Sequence, residues 1–200
     1  GPGGPLGPQA PARTRPPRTL RATPHGKDNQ REHAIHIYIE QYLTKNGAII
    51  FFSYTIIEDI KAENNQVLSI IDASKSKMAI SILIKSFLFK KALMQEHFNE
   101  NYLESDKFPK ATFKGDILNF NNVSSLDAKY DVKGIITIHG VSKEIVVPTI
   151  FKRNGDTIFV KGEFDLLLED FDIKIPRLLL KKIAKEINVT FEFNHKPYNR

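Results

Sequence analysis

The sequence predicts an all-β fold, an eight-stranded antiparallel β-barrel with two short α-helices. From about residue 47 onward, short stretches rich in Ile, Val, Phe and Thr alternate apolar and polar residues with a period of two, as strands do. These stretches have one apolar and one polar face, so one side of the sheet must be buried. Because two short helices cannot cover that side, closing the sheet on itself is the arrangement that buries it and removes the sheet edges.

Eight strands are predicted from this alternation, and most neighbouring strands are expected to pair antiparallel. Several connections are short and contain Gly, Ser, Asn or Asp, the residues of tight turns. In the turn at His139 and Gly140, the glycine permits a positive φ and the histidine is expected to brace the corner. The predicted strands cover residues 48–57, 66–72, 77–87, 111–120, 128–139, 143–152, 157–168 and 185–194.

Two segments depart from the alternation and predict helices. Between residues 90 and 102, apolar side chains recur at three- and four-residue spacings, as on one face of a helix. From 176 to 187, a proline suited to a first helical turn precedes Leu179, Ile183 and Ile187 on one side, with lysines on the other. We expect both helices to cap or flank the sheet.

The N-terminal segment, residues 1–40, is expected to be disordered, and residues 41–197 are expected to form one folded domain. Residues 1–30 contain seven of the eleven prolines, and Leu6 and Leu20 are their only large aliphatic side chains. Such a segment buries too little apolar surface to offset the entropy of ordering it. It is typical either of a functional basic arm or of sequence added ahead of the natural chain.

Charge and composition exclude several classes of function. Of the formal net charge of +6, the first 33 residues hold +4, with six basic residues against two acidic ones. The folded part is therefore nearly neutral, and no nucleic acid is expected as a partner. The chain has no cysteine, which excludes disulfides, thiolate metal sites and cysteine nucleophiles. Neither a transmembrane segment nor a leader peptide is expected from its apolar runs.

Apolar side chains that point into the barrel are the candidate binding residues. A barrel of eight strands is either filled by its own side chains or wide enough to hold one slender ligand. Alternation looks identical in the two cases, so a solid core and a cavity both remain open at this point. The candidates are Ile49, Phe51, Ile80, Ile82, Ile84, Phe87, Met94, Phe98, Phe113, Ile117, Val132, Ile136, Ile138, Val147, Ile158, Val160, Phe164, Leu166, Val189 and Phe191.

A series of ordered motifs resembles one known family. These motifs are EDIKAENN at 58–65, MQEHFN at 94–99, YLESDKFP at 102–109, GIITIHGVSK at 134–143 and DFDIKIP at 170–176, with Phe113 between them. Together they resemble the YceI-like family over residues 47–195. The resemblance implies a lipocalin-like barrel whose elongated apolar pocket holds a polyisoprenoid chain in some members. It also implies a periplasmic or secreted location.

The inward residues suit a long hydrocarbon ligand of the kind that the resemblance implies. Such a chain is recognised by shape and desolvation, because burial of apolar surface contributes about 25 cal/mol per Å². A polar head group would need cations or backbone amides at one end of the barrel. Lys85, Lys90, Lys91 and Lys143 are candidates because they lie near strand ends. No cofactor is required, and a bound isoprenoid lipid is compatible with the sequence.

Other polar residues have structural interpretations. His97 and His139 are common metal-ligand types, but no clustered ligand pattern accompanies them, so no metal is expected. The neighbouring carboxylates of the 58–59 and 170–172 segments are expected to be solvated loop charges, because no nucleophile has an evident base. We therefore expect that the protein is not an enzyme.

The sequence predicts a protein that binds, sequesters or transports a long-chain apolar lipid, such as a quinone tail or a polyprenyl phosphate. The alternative is a filled barrel that acts as a structural or interaction module of the cell envelope. An enzyme acting on an apolar substrate is the third hypothesis. The expected partner is a long-chain lipid, and the sequence leaves homodimer formation open.

Overall fold

A computed structural model describes residues 3–4, 40–55, 57–179 and 182–198. Most of the predicted N-terminal segment, residues 1–40, lies outside the described residues. The described part contains nine strands: β1 (Gln41–Ser53), β2 (Ile60–Asp72), β3 (Lys77–Leu83), β4 (Leu88–Phe89), β5 (Lys110–Ile117), β6 (Ala128–Ile138), β7 (Val141–Asn154), β8 (Thr157–Leu167) and β9 (Glu186–Tyr198).

Eight of these strands form a closed antiparallel barrel, which confirms the predicted architecture. Each long strand pairs with its neighbours in the order β1, β2, β3, β5, β6, β7, β8, β9, and β9 pairs again with β1. The ninth strand, β4, contributes two residues that pair with Ala62 and Glu63 of β2. Because every long strand has two partners, its backbone groups are satisfied on both sides and no long edge is exposed.

The connections make the two ends of the barrel different. At one end, here called the upper end, β1 joins β2 through residues 54–59, β3 joins β5 through 84–109, β6 joins β7 through 139–140, and β8 joins β9 through 168–185. At the opposite, lower end, the connections are 73–76, 118–127 and 155–156. The upper end therefore carries most of the chain that is available to cover the barrel interior.

One predicted helix is confirmed and the other is wrong. The first is α1 (Ala92–His97), which continues as a π-helical turn, Phe98–Tyr102. In place of the second, the described residues form a single 3₁₀ turn, Arg177–Leu179, and then β9. Leu166 and Leu167 of β8 pair with the first residues of β9, and this pairing outweighs the local helical spacing. No described helix is long and apolar enough to cross a membrane.

The strands β1 and β2 begin earlier than predicted because a bulge interrupts the alternation. The pairing between β1 and β2 shifts register on both sides of Gly47. A bulge inserts an extra residue, so the inward and outward positions change places and a period-two pattern ends there. At the other end of β1, the predicted strand continued to residue 57, but the chain leaves the sheet after Ser53.

The strands β5 and β6 approach each other closely at a pair of glycines. Gly115 and Gly134 are directly opposite in the register. A Cβ atom built on Gly134 would lie 2.3 Å from the carbonyl oxygen of Lys114. Since that oxygen belongs to the neighbouring backbone, a side chain here would force the strands apart.

Gly134→Ala should lower the free energy of unfolding by about 1–3 kcal/mol, because the strand pair must separate to admit the methyl group. Urea unfolding followed by circular dichroism measures the change. Ile135→Ala is the control: its side chain is 52% exposed, and a loss below about 1 kcal/mol is expected for such a strand position. Equal losses for the two variants would contradict the close approach.

Candidate functional site

An apolar cavity of about 200 Å³ occupies the upper part of the barrel. Its walls come from the inward faces of the strands. Ile82 of β3 lies opposite Ala111 of β5, and Phe113 of β5 lies opposite Ile136 of β6. Because the strands are in register, their inward side chains form rings around the barrel axis, and the apolar face of the sequence becomes a continuous apolar wall.

Four phenylalanines cover the cavity on the side of β1 and α1. Phe51 lies 5.2 Å from Phe87, 5.8 Å from Phe89 and 5.5 Å from Phe98, measured between ring centroids. These rings come from four different segments, so their packing joins β1, β4, the π-helical turn after α1 and the residues that follow β3. Gln95 Oε1 accepts a hydrogen bond from the backbone N–H of Phe89 at 3.1 Å and attaches α1 to β4.

The connection between β8 and β9 covers the other side of the upper end. Phe171, Ile173 and Ile183 are buried and line the cavity. The backbone N–H of Ala184 donates to Ser53 Oγ at 2.8 Å, which attaches this connection to the end of β1. The cover is therefore fixed to the strand ends by hydrogen bonds as well as by apolar packing.

His139 braces the upper end, as its place in a tight turn predicted. It and Gly140 have positive φ values of 53° and 75°, the conformation of a two-residue hairpin. The His139 Nδ1 atom lies 3.0 Å from the carbonyl oxygen of Phe171, and Nε2 lies 2.5 Å from Glu104 Oε2. Since a carbonyl only accepts, Nδ1 must donate. The imidazole thus links three connections of the upper end.

The lower part of the barrel is filled. Phe151, Phe193, Ile158 and Val160 are at most 1% exposed and pack across the interior. His195 is buried with them; its Nε2 lies 2.7 Å from Ser69 Oγ, and its Nδ1 lies 3.2 Å from the carbonyl oxygen of Ile158. Burial lowers the pKa of His195 to about 4, so this histidine is neutral at neutral pH.

Most of the predicted candidates line the cavity. Ile117, Ile158 and Val160 do not, because they point into the filled lower part. The candidates at the cavity wall or cover are Ile49, Phe51, Ile80, Ile82, Ile84, Phe87, Met94, Phe98, Phe113, Val132, Ile136, Ile138, Val147, Phe164, Leu166, Val189 and Phe191.

Several cavity residues were missed by the sequence analysis. Met78 and Ala111 share the alternation of Ile80 and Phe113, so the strand pattern could have found them. The others belong mainly to the upper connections, where no periodicity indicates which side chains turn inward. The missed residues are Ser53, Ile60, Met78, Phe89, Tyr102, Leu103, Ala111, Thr112, Thr149, Leu168, Phe171, Ile173, Ile175, Ile183, Ile187 and Phe193.

Three of the four predicted head-group lysines are paired with carboxylates. Lys85 Nζ lies 2.6 Å from Asp106 Oδ1, Lys91 pairs with Glu58, and Lys143 pairs with Asp170. Lys90 is exposed beside α1. These side chains all lie on the upper connections or strand ends, outside the apolar interior.

Two hydroxyl groups at the cavity form hydrogen bonds with the protein backbone. Ser53 accepts from Ala184, and Thr149 Oγ1 donates to the carbonyl oxygen of Val147 at 3.0 Å. Within the described ranges, no three His, Asp or Glu side chains converge as a metal site would require. The interior therefore offers apolar contact surface rather than a set of reactive groups.

These features define the class of the protein: a lipocalin-like antiparallel barrel with an apolar interior under a cover of loops. A sequence model of the YceI-like domain matches residues 46–195. The chain belongs to the YceI-like family.

One known protein is similar to this chain in sequence over part of its length. A UPF0312 protein of Pseudomonas syringae pv. tomato is 28% identical over 131 residues, which are 60% of this chain and 65% of the relative. The match thus spans slightly less than two thirds of that relative's length.

Two solved structures have the same barrel. A polyisoprenoid binding domain from Saccharophagus degradans, implicated in plant cell wall breakdown, has a TM-score of 0.70 at 14% identity, covering 80% of this chain and 99% of that one. Burkholderia cenocepacia BcnA has a TM-score of 0.63 at 18% identity, covering 74% and 95%. At these identities the likeness establishes the fold alone.

Lowering the pH from 7 to 5 should reduce the free energy of unfolding by about 2 kcal/mol through His195. Its pKa is about 4 in the folded barrel against an ordinary value of 6.5. Between these values the unfolded chain binds a proton that the folded barrel does not. The stability that depends on neutral His195 is therefore fully present above pH 6.5 and is lost as the pH falls toward 4.

Urea unfolding at several pH values measures this slope. His195→Gln is the comparison, because an amide retains hydrogen-bonding groups without titrating in this range. The variant should be less stable at pH 7 and should show a shallower decline toward pH 5. Parallel declines in the two proteins would contradict the neutral, buried state of His195.

Proposed function

We propose that this chain binds a long-chain apolar lipid of the polyisoprenoid class in the cavity and shelters it from water. The observation that carries the proposal is the apolar wall and cover of the interior, built from all eight barrel strands, β4 and the upper connections. A hydrocarbon chain requires no hydrogen bonds from such a wall. Burial of several hundred Å² of chain, at about 25 cal/mol per Å², would offset the entropy lost on binding.

The size of the cavity favours a slender ligand. At about 200 Å³, it is smaller than the roughly 300–1,000 Å³ of pockets that hold drug-sized molecules. A linear isoprenoid can enter such a space end first, whereas a bulky fused-ring compound would need the walls to move. The polar head would remain at the upper end, where Lys90 is exposed.

Family membership supports the same ligand class. The Saccharophagus degradans domain, which has the same fold, is described as polyisoprenoid binding. We extend that class of ligand to this chain, together with a periplasmic or secreted location and a role as carrier or store. A quinone tail and a polyprenyl phosphate both provide the required chain.

Organic extraction of the full chain purified from bacterial cells, followed by mass spectrometry, tests the proposal. We expect one long-chain lipid per barrel. Repeated extractions without lipid, together with failure of the purified protein to take up an added polyprenol, would favour the filled-barrel alternative.

Ala111→Phe should reduce the extracted lipid by at least about tenfold, because a phenyl ring inserted into the wall occupies the space of the ligand chain. Ala111 lines the cavity and is 6% exposed. Thermal unfolding shows whether the variant folds, and the lipid content is compared per folded barrel.

Ala79→Phe is the matched control. Ala79 lies on β3 between Met78 and Ile80, which both line the cavity, so its side chain points to the outer face. The same added ring should leave the lipid content within about twofold of the wild type. Equal lipid content in both variants would contradict binding at the Ala111 wall.

A further inference from the structure

Exposed apolar side chains gather at the upper end of the barrel. Tyr54, Ile57, Leu88, Leu93 and Leu178 are between 57% and 93% exposed. They belong to three segments, residues 54–61, 88–97 and 174–182, whose inward side chains cover the cavity. We call the described residues of these segments the rim. Each segment thus has apolar side chains on two sides, one facing the cavity and one facing solvent.

One ion pair and one longer-range charge effect link the three rim segments. Lys91 of the second segment pairs with Glu58 of the first. The charge of Lys182 on the third segment also helps to lower the pKa of Glu58, after the larger effect of Lys91. The apolar tips therefore lie around one end of the barrel and form a common surface.

The outer wall of the barrel presents its apolar residues differently. Ile135 and Val146 are each 52% exposed, but Ile135 lies opposite Glu144 and Val146 lies opposite Lys133. Lys133 and Glu144 form an ion pair at 3.3 Å. Wall residues are thus surrounded by charged neighbours within the sheet, whereas the rim residues stand on projecting connections.

The rim also has an excess of positive charge. Its described residues include six Lys or Arg against three Asp or Glu, a net charge of +3, while the exposed Glu100, Asp106, Glu169 and Asp172 lie on the upper connections outside the rim. The cations are Lys61, Lys90, Lys91, Lys174, Arg177 and Lys182. Apolar tips beside lysines and arginines are the combination that binds the interface of an anionic bilayer.

The charge distinguishes a membrane from a second copy of the chain. In a twofold dimer through the rim, the same patch would face itself, so one net charge of +3 would oppose another. An anionic lipid surface instead attracts these cations while its interfacial region accepts the apolar side chains. A bilayer therefore satisfies both features of the rim, whereas self-association satisfies only the apolar one.

We propose that the rim docks the barrel onto an anionic lipid bilayer, with the upper end facing the membrane. The purpose of docking rests on the proposed lipid-binding function, since it would bring the cavity to the source of its ligand. The surface itself is defined by exposed residues and charge, so it can be tested independently of what the cavity holds.

Cosedimentation of the full chain with phosphatidylcholine vesicles, with and without about 30% phosphatidylglycerol, measures docking. The wild type should bind the anionic vesicles more tightly, and salt should weaken that binding. Leu93→Glu/Leu178→Glu should lower the partition constant by at least about tenfold, because two apolar anchors become charged.

Leu118→Glu/Leu126→Glu is the matched control. It changes the same residue type and the same charge at two exposed positions of the lower end. Its partition constant should stay within about threefold of the wild type, because these charges lie beyond about one Debye length from the docked surface. Both proteins retain the basic N-terminal segment, so its contribution to vesicle binding is common to them.

The cations are tested in the same assay. Lys90→Glu/Arg177→Glu should weaken binding to anionic vesicles by at least about tenfold, given roughly fivefold per cation at such a surface. The same change in Lys129→Glu/Lys196→Glu, at exposed lower-end positions, should have a much smaller effect. Thermal unfolding of each variant establishes that these exposed substitutions leave the barrel folded.

Three results would overturn the docking proposal. They are failure of the wild type to bind either vesicle, equal binding by the rim and lower-end variants, and a wild-type dimer in solution that Leu93→Glu/Leu178→Glu dissociates. Size-exclusion chromatography with light scattering detects the last of these. If the protein docks through the rim but yields no lipid, the proposed function is contradicted and docking is not. If the protein carries lipid but binds vesicles equally well without the rim residues, docking is contradicted and the proposed function is not.

Discussion

Closure of the barrel is the constraint on which the rest of the structure depends. The strand β1 pairs with β2 on one side and with β9 on the other, so the first and last strands of the domain are held together. This contact joins residues far apart in the chain and leaves no long edge. Only after closure do the inward side chains of separate strands face one another around a shared interior.

The barrel interior has two parts, a lower part filled by side chains and an upper part that contains the cavity. In the lower part, Phe151 and Phe193 pack with the buried pair of His195 and Ser69, whose polar atoms are satisfied by one another and by backbone. In the upper part, aliphatic and aromatic side chains leave about 200 Å³ of apolar space. The filled part stabilises the barrel, and the strands it fixes hold the cavity wall in place.

The upper connections combine structural and functional roles. Their inner side chains cover the cavity, and His139 links the Glu104 segment to the Phe171 turn. Their outer side chains form the rim of apolar tips and cations. Because the same short segments have both surfaces, a ligand in the cavity and a bilayer at the rim would act on one set of connections.

The sequence by itself determined the strand composition, the antiparallel order and the inward face of most strands, because these follow from side-chain alternation and turn residues within about ten positions. It could not separate Ile117, Ile158 and Val160 from the cavity residues. The alternation along a strand shows which side chains point inward, but not how far along the barrel axis each one lies. Only tertiary pairing decided that Glu186 and Ile187, which the predicted helix and the predicted strand both included, belong to β9. The cover of the cavity, which includes Phe89 and Ile173, was likewise decided by long-range packing, because loop side chains carry no periodic signal of their direction.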